Sequence, residues 1–178
     1  MRISIDRMFI IGGIGAGVMS LSAHAELVGQ WELGQGDSTA TFQFDFQDNS
    51  TYVISLSWDG ELTGRGAFDL IEDEALNVFD FEFSYISYSF GDFLTGVGIE
   101  NSYDYGVGSP PNYTDTWGYW TAEGDADWSS SMIGFSSRIL LDGSRDGWVF
   151  EGGAPASIPA PATLGLLALL PVGRNRRR

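Results

Sequence analysis

The chain has 178 residues and a formal net charge of −15, with 24 acidic and nine basic residues, one histidine and no cysteine. The missing cysteines exclude disulfide staples and thiolate chemistry. The lone histidine, His24, sits so near the N-terminus that histidine triads and His/Cys zinc sites are excluded from the body of the chain.

The N-terminus has the three regions of a secretory signal. Arg2 and Arg7 precede an apolar run over 8–21, and Ala23-His24-Ala25 follows as a small-x-small cleavage site. The run is shorter than the roughly 20 residues of a membrane span. It predicts a signal helix over 1–25, engaged by the export machinery and cut after Ala25, and an extracytoplasmic protein.

The body, residues 26–151, keeps 23 of the 24 acids and only Arg65, Arg138 and Arg145 of the bases, so 23 minus 3 gives a net charge of −20. Such a surface repels phosphate backbones and anionic headgroups, which excludes nucleic acid as a partner and leaves the membrane only to the C-terminal tail. Period-two alternation dominates, the mark of strands with one buried face. Residues 27–33 open the domain around Trp31. Phe42, Phe44 and Phe46 lead through Asp48-Asn49-Ser50 into Tyr52, Ile54 and Leu56, which predicts a hairpin. Residues 67–78 carry Phe68, Ile71, Ala75 and Val78 at helical spacing and predict a short helix. Phe79, Phe81, Phe83 and Tyr85 alternate as a strand, the run Phe90-Gly91-Asp92-Phe93 bends, and 94–99 continues. Residues 103–116, with Pro110-Pro111, read as a loop, 117–121 as a strand and 123–127 as a turn. After mixed residues 132–139 and the turn Asp142-Gly143, a closing strand covers 147–151. The fold class is mainly β with at most one short helix, flanked by the signal helix and a C-terminal hydrophobic tail. Trp148 and Phe150 share a face of the closing strand and are expected in the core.

Residues 152–157, Gly-Gly-Ala-Pro-Ala-Ser, read as a flexible linker opening a last segment over 152–178. After Pro159-Ala160-Pro161 come twelve apolar residues, Ala162 to Gly173, about 18 Å at helical rise, and then Arg174, Arg176, Arg177 and Arg178. Prolyl turn, apolar stretch and arginine stop together resemble the PEP-CTERM sorting signal of Gram-negative surface proteins, with Ala160 where that family has glutamate. The resemblance implies an exosortase-like processing enzyme as partner and a transient membrane anchor.

Residues 66–150 carry Phe81-Glu82-Phe83, Gly98-Ile99, Trp117-Gly118-Tyr119-Trp120, Ile133-Gly134-Phe135-Ser136-Ser137 and Gly147-Trp148-Val149-Phe150. In that order they resemble a secreted domain similar to the C-terminal β-domain of transcobalamin and intrinsic factor. The resemblance implies a β-grasp-like fold; a small β-sandwich is the alternative. It does not imply cobalamin binding, which belongs to that family's eukaryotic relatives and their partner domain.

Trp117, Tyr119, Trp120 and Trp128 are candidate ligand-stacking residues, with Asp125 and Asp127 as acceptors for sugar hydroxyls. Because alternate residues of a strand oppose one another, Trp117 and Tyr119 face one way and Trp120 the other, and one of those faces packs as core. Glu100 and Glu123 are the candidate carboxylates for a glycosidase. Asp125, Asp127, Asp142 and Asp146 stand by turn glycines as calcium ligands would, and calcium is the one cofactor considered. The expected function is an exported, non-catalytic surface or extracellular-matrix module, with exopolysaccharide as a candidate partner. The competing expectations are a small carboxylate-dependent polysaccharide hydrolase and a carbohydrate- or small-molecule-binding module.

Overall fold

The computed structural model describes residues 25–89 and 91–158. The expected signal run, the sorting tail from Pro159 to Arg178, and Phe90 lie outside the described residues.

The protein is mainly β, as its alternating pattern predicts. In chain order the strands are β1 Glu26–Gly34, β2 Ser38–Asp45, β3 Ser50–Trp58, β4 Phe81–Tyr88, β5 Gly91–Ile99, β6 Ser102–Tyr105, β7 Trp117–Glu123, β8 Ser129–Ser130 and β9 Ser144–Phe150. One helix, α1 Gly64–Ala75, joins β3 to β4, and a 3-10 turn covers Phe135–Ser137. A six-stranded sheet runs in the order β1-β3-β2-β9-β7-β8, and a three-stranded antiparallel sheet in the order β4-β5-β6.

The predicted hairpin forms as β2 and β3, with Phe42 opposite Ile54 and Phe44 opposite Tyr52. Its turn closes because Asp48 Oδ1 accepts the Ser50 amide at 2.8 Å while Asn49 takes φ 70°, a left-handed conformation that asparagine tolerates. The helix begins three residues earlier than periodicity suggests. Thr63 caps it by accepting the Gly66 amide at 3.1 Å, which anchors the first turn despite Gly64 and Gly66. Ala67, Phe68, Ile71 and Ala75 form its buried stripe.

Both sheets and the helix share one aromatic core. Trp148 of β9, 1% exposed, stacks on Phe44 at 5.3 Å and on Tyr119 at 4.9 Å, and Phe68 of the helix meets it edge-on at 4.9 Å. Phe68 in turn reaches Phe83 of the second sheet at 5.1 Å and Phe135 of the 3-10 turn at 5.0 Å. Inward aromatic rings thus tie every layer to a single tryptophan.

Two segments differ from their sequence reading. Tyr103–Tyr105 is not loop but part of β6, paired to β5 through Gly98 and Gly96. The segment read as a flexible linker is docked on the outer face of the six-stranded sheet: Ala156 donates its amide to Asp45 Oδ2 at 2.6 Å and accepts from Gln43 Nε2 at 2.9 Å. Pro155 beside it is buried. Gly147 permits this, since a Cβ there would stand 2.5 Å from Pro155 and 3.2 Å from the Trp128 ring.

Candidate functional site

The register of β7 against β9 sorts the candidate aromatics. Tyr119 pairs with Trp148 and Trp117 with Phe150, so both point into the core; Trp120 pairs with Gly147 and points out. Trp117 is 5% exposed and packs edge-on against Phe46 and Phe150. Trp117 is thus core, and Tyr119, half-buried, stacks its ring on Trp148.

The Tyr119 hydroxyl donates to Asp146 at 2.5 Å. Asp146 is fully buried and also accepts from Arg138 Nε at 2.9 Å, while Arg138 Nη2 donates to Glu123 at 2.7 Å. Ser144 donates its hydroxyl to the other Glu123 oxygen at 3.1 Å. Burial pushes the Asp146 carboxyl above the usual carboxylate range against the bonds from Tyr119 and Arg138. Burial, and then the Asp146 charge, push the Tyr119 hydroxyl up as well. Every member of this chain holds another member, so it acts as a brace between β7, β9 and the 3-10 turn.

The brace separates the candidate ligands. Asp146 points into the core, whereas Asp142 lies exposed in the preceding turn and accepts the Thr39 amide at 2.9 Å. Glu123 belongs to the brace and Glu100 follows β5 in the other sheet, so the two carboxylates sit on different elements. Among the described residues no group of three or more His, Cys, Asp or Glu side chains is arranged to hold a metal ion.

Trp128, Asp125 and Asp127 do come together. They line a cavity of about 330 Å³ on the outer face with Gln43, Arg145 and the docked segment 156–158. The Arg145 guanidinium lies over the Trp128 ring at 4.8 Å, and its Nη2 donates to the Ala126 carbonyl. Its Nε is buried without a hydrogen-bond partner, an unmet demand beside the cavity. A ring with a stacked cation, two exposed carboxylates and a glutamine amide can bind a small polar molecule with both donors and acceptors.

Arg145 and the docked segment escaped the sequence reading, because only the parallel pairing of β2 with β9 carries Gln43 opposite Gly147. Tyr103 and Tyr105 escaped it too, although their alternation was a visible strand signal; both stand exposed on β6. No protein-family model matches the chain, and no curated protein matches it either.

Proposed function

We propose that the chain is an exported, non-catalytic module of the cell surface or extracellular matrix, trimmed after Ala25 and sorted through its PEP-CTERM-like tail. The observation that carries this reading is the fit between the folded body and the two terminal signals. β1 starts at Glu26, the first residue after the expected cut, and the Glu26 amide already donates to Asn49 at 2.9 Å. The last side of the body is the docked Pro155–Ala156, three residues before Pro159. Both cuts would therefore leave the body whole. Of the expected folds, two sheets around one core favour the small β-sandwich over the β-grasp.

Mass spectrometry of the protein from its own host tests this. A secreted form beginning at Glu26 and lacking the arginine cluster is expected; an intact N-terminus on a cytoplasmic product overturns it. A second reading, a module binding a small polar molecule at Trp128, is favoured by the unsatisfied Arg145 Nε.

A further inference from the structure

The segment docked on the outer face of the six-stranded sheet lies in a built seat. Gln43 and Asp45 of β2 are only 3% and 7% exposed, and Thr51 holds Asp45 Oδ1 at 2.8 Å while Oδ2 takes the Ala156 amide at 2.6 Å. Gln43 Nε2 bridges the same carboxylate to the Ala156 carbonyl. Both bonds reach backbone atoms, so they hold a residue without reading its side chain. The residue before it is read by shape. Pro155 is buried over Gly147, where a Cβ would stand 2.5 Å from its ring, and proline brings no N–H that burial would leave unsatisfied. Ala156, Ser157 and Ile158 then continue along the cavity shared with Trp128 and Arg145.

The seated pentapeptide, residues 154–158, is Ala-Pro-Ala-Ser-Ile, and six residues later the chain repeats it as Ala-Pro-Ala-Thr-Leu, residues 160–164. The three residues that the seat reads most closely are identical, a hydroxyl replaces a hydroxyl and an aliphatic residue an aliphatic one. Pro159-Ala160 is also a Pro-Ala pair, but isoleucine precedes it and a second proline follows it.

We propose that the seat is a peptide-binding site with a second occupant, residues 160–164 of the same chain, which replaces residues 154–158 when the chain slips by six residues. Four residues join Phe150 to Pro155, and ten would join it to Pro161. The closure entropy of a loop grows only slowly with its length, and the tether keeps the second copy at high local concentration. The shorter link favours the first copy, which is the one seated in this structure. The slip would bring Ala160-Pro161 into the seat, so the seated copy decides how much of Pro159-Ala160-Pro161 is presented to a processing enzyme. That consequence rests on the sorting reading; the binding does not, and its test reads binding alone.

The test is amide hydrogen exchange, followed residue by residue by NMR on the full chain in detergent micelles. Pro155→Asp sets a charge in place of the buried ring and is expected to lower protection of the Ala156 amide by at least about tenfold. In that variant Ala162 is expected to gain at least about tenfold protection, and to lose it again when Asp45→Ala or Pro161→Asp is added. No gain at Ala162 overturns the proposal, and so does a gain that survives Asp45→Ala, which would come from the micelle. Should Pro155→Asp fail to fold, acetyl-Ala-Pro-Ala-Thr-Leu-amide is added to the parent chain at millimolar concentration. It is expected to displace residues 154–158 and lower Ala156 protection by at least about fivefold, whereas the same peptide with glycine for proline does not. Equal effects of the two peptides, or no effect of either, overturn the proposal as well.

Discussion

Tyr119 and Asp146 meet at 2.5 Å between β7 and β9, on the core side of the sheet, and Arg138 closes on the same carboxylate from the 3-10 turn. The Arg138 side chain is 14% exposed, so Asp146 is the main partner of a largely buried cation. Asp146→Ala leaves that cation without its buried partner and is expected to cost about 3 to 5 kcal/mol. Tyr119→Phe removes one donor and keeps the stacking on Trp148, at a cost of about 1 to 3 kcal/mol. Urea unfolding of the two variants checks the order, and a Tyr119→Phe loss equal to that of Asp146→Ala would show that the ion pair contributes nothing beyond the phenol.

Trp148 and Trp120 occupy neighbouring strands but opposite faces. Trp148→Ala empties the centre of the aromatic core and is expected to cost about 3 to 5 kcal/mol. Trp120→Ala, on the outer face, is expected to change stability by less than about 1 kcal/mol. Thermal denaturation distinguishes them; a Trp148→Ala protein melting with its parent would contradict the stacking geometry.

Asp48 ties the β2–β3 turn to the second sheet, accepting from Ser50 Oγ at 2.5 Å and from Ser102 Oγ at 2.9 Å. Burial opposes its charge, but the bonds from Ser50 and Ser102 outweigh it and hold its pKa below the ordinary 3.8. A depressed carboxylate stabilises the fold above its unfolded value and loses that contribution as pH falls through its folded one. Nearby Asp104 has the opposite shift, raised by burial and by the charges of Asp48 and Glu151 despite the Gln47 amide, so the two partly cancel. Asp48→Asn removes the first effect together with the Asp48 charge, a lesser cause of the Asp104 shift: the variant's melting temperature is expected to fall less steeply than the parent's below pH 4. Parallel acid limbs would contradict it.

The docked segment depends on Asp45, which also accepts from Thr51 Oγ1 at 2.8 Å and from Gln43 Nε2 at 3.0 Å. Asp45→Ala strands those donors and is expected to cost about 1 to 3 kcal/mol. Limited proteolysis reads the same change locally, through faster cutting within 152–158. Unchanged cutting would mean that Pro155 packing alone holds the segment.

The body's charge of −20 predicts stability that rises with salt, since self-repulsion is screened. The melting temperature is expected to increase from low to physiological ionic strength, equally for magnesium and calcium at matched ionic strength. A calcium-specific increase would reveal a site for that ion.

The sequence displayed what depends on neighbours along the chain. Phe42, Phe44 and Phe46 announced a strand, Phe68, Ile71 and Ala75 a helix, although Val78, read with them, lies exposed beyond its end, and Trp128 its nearness to Asp125 and Asp127. What it hid depends on pairing across the sheet. Gly152 to Ser157 has the composition of a linker, and its partners Gln43 and Asp45 lie more than a hundred residues away. Arg145 reaches Trp128 only because β9 pairs with β7, whose following turn carries Trp128, and the alternation of Tyr103 and Tyr105, though visible, spans a strand of only four residues that runs straight into a loop.

The place where the chain leaves the sheet also sets how the protein would bear load. Ala156 is held by two side chains of β2, an interior strand with β3 on one side and β9 on the other. A pull on the chain beyond Ile158 therefore arrives at the middle of the six-stranded sheet instead of peeling its edge. The first bonds to yield are the two at Ala156, followed by the seat of Pro155 on Gly147. Behind them the parallel pair β2 and β9 would resist in shear, with many backbone hydrogen bonds loaded together.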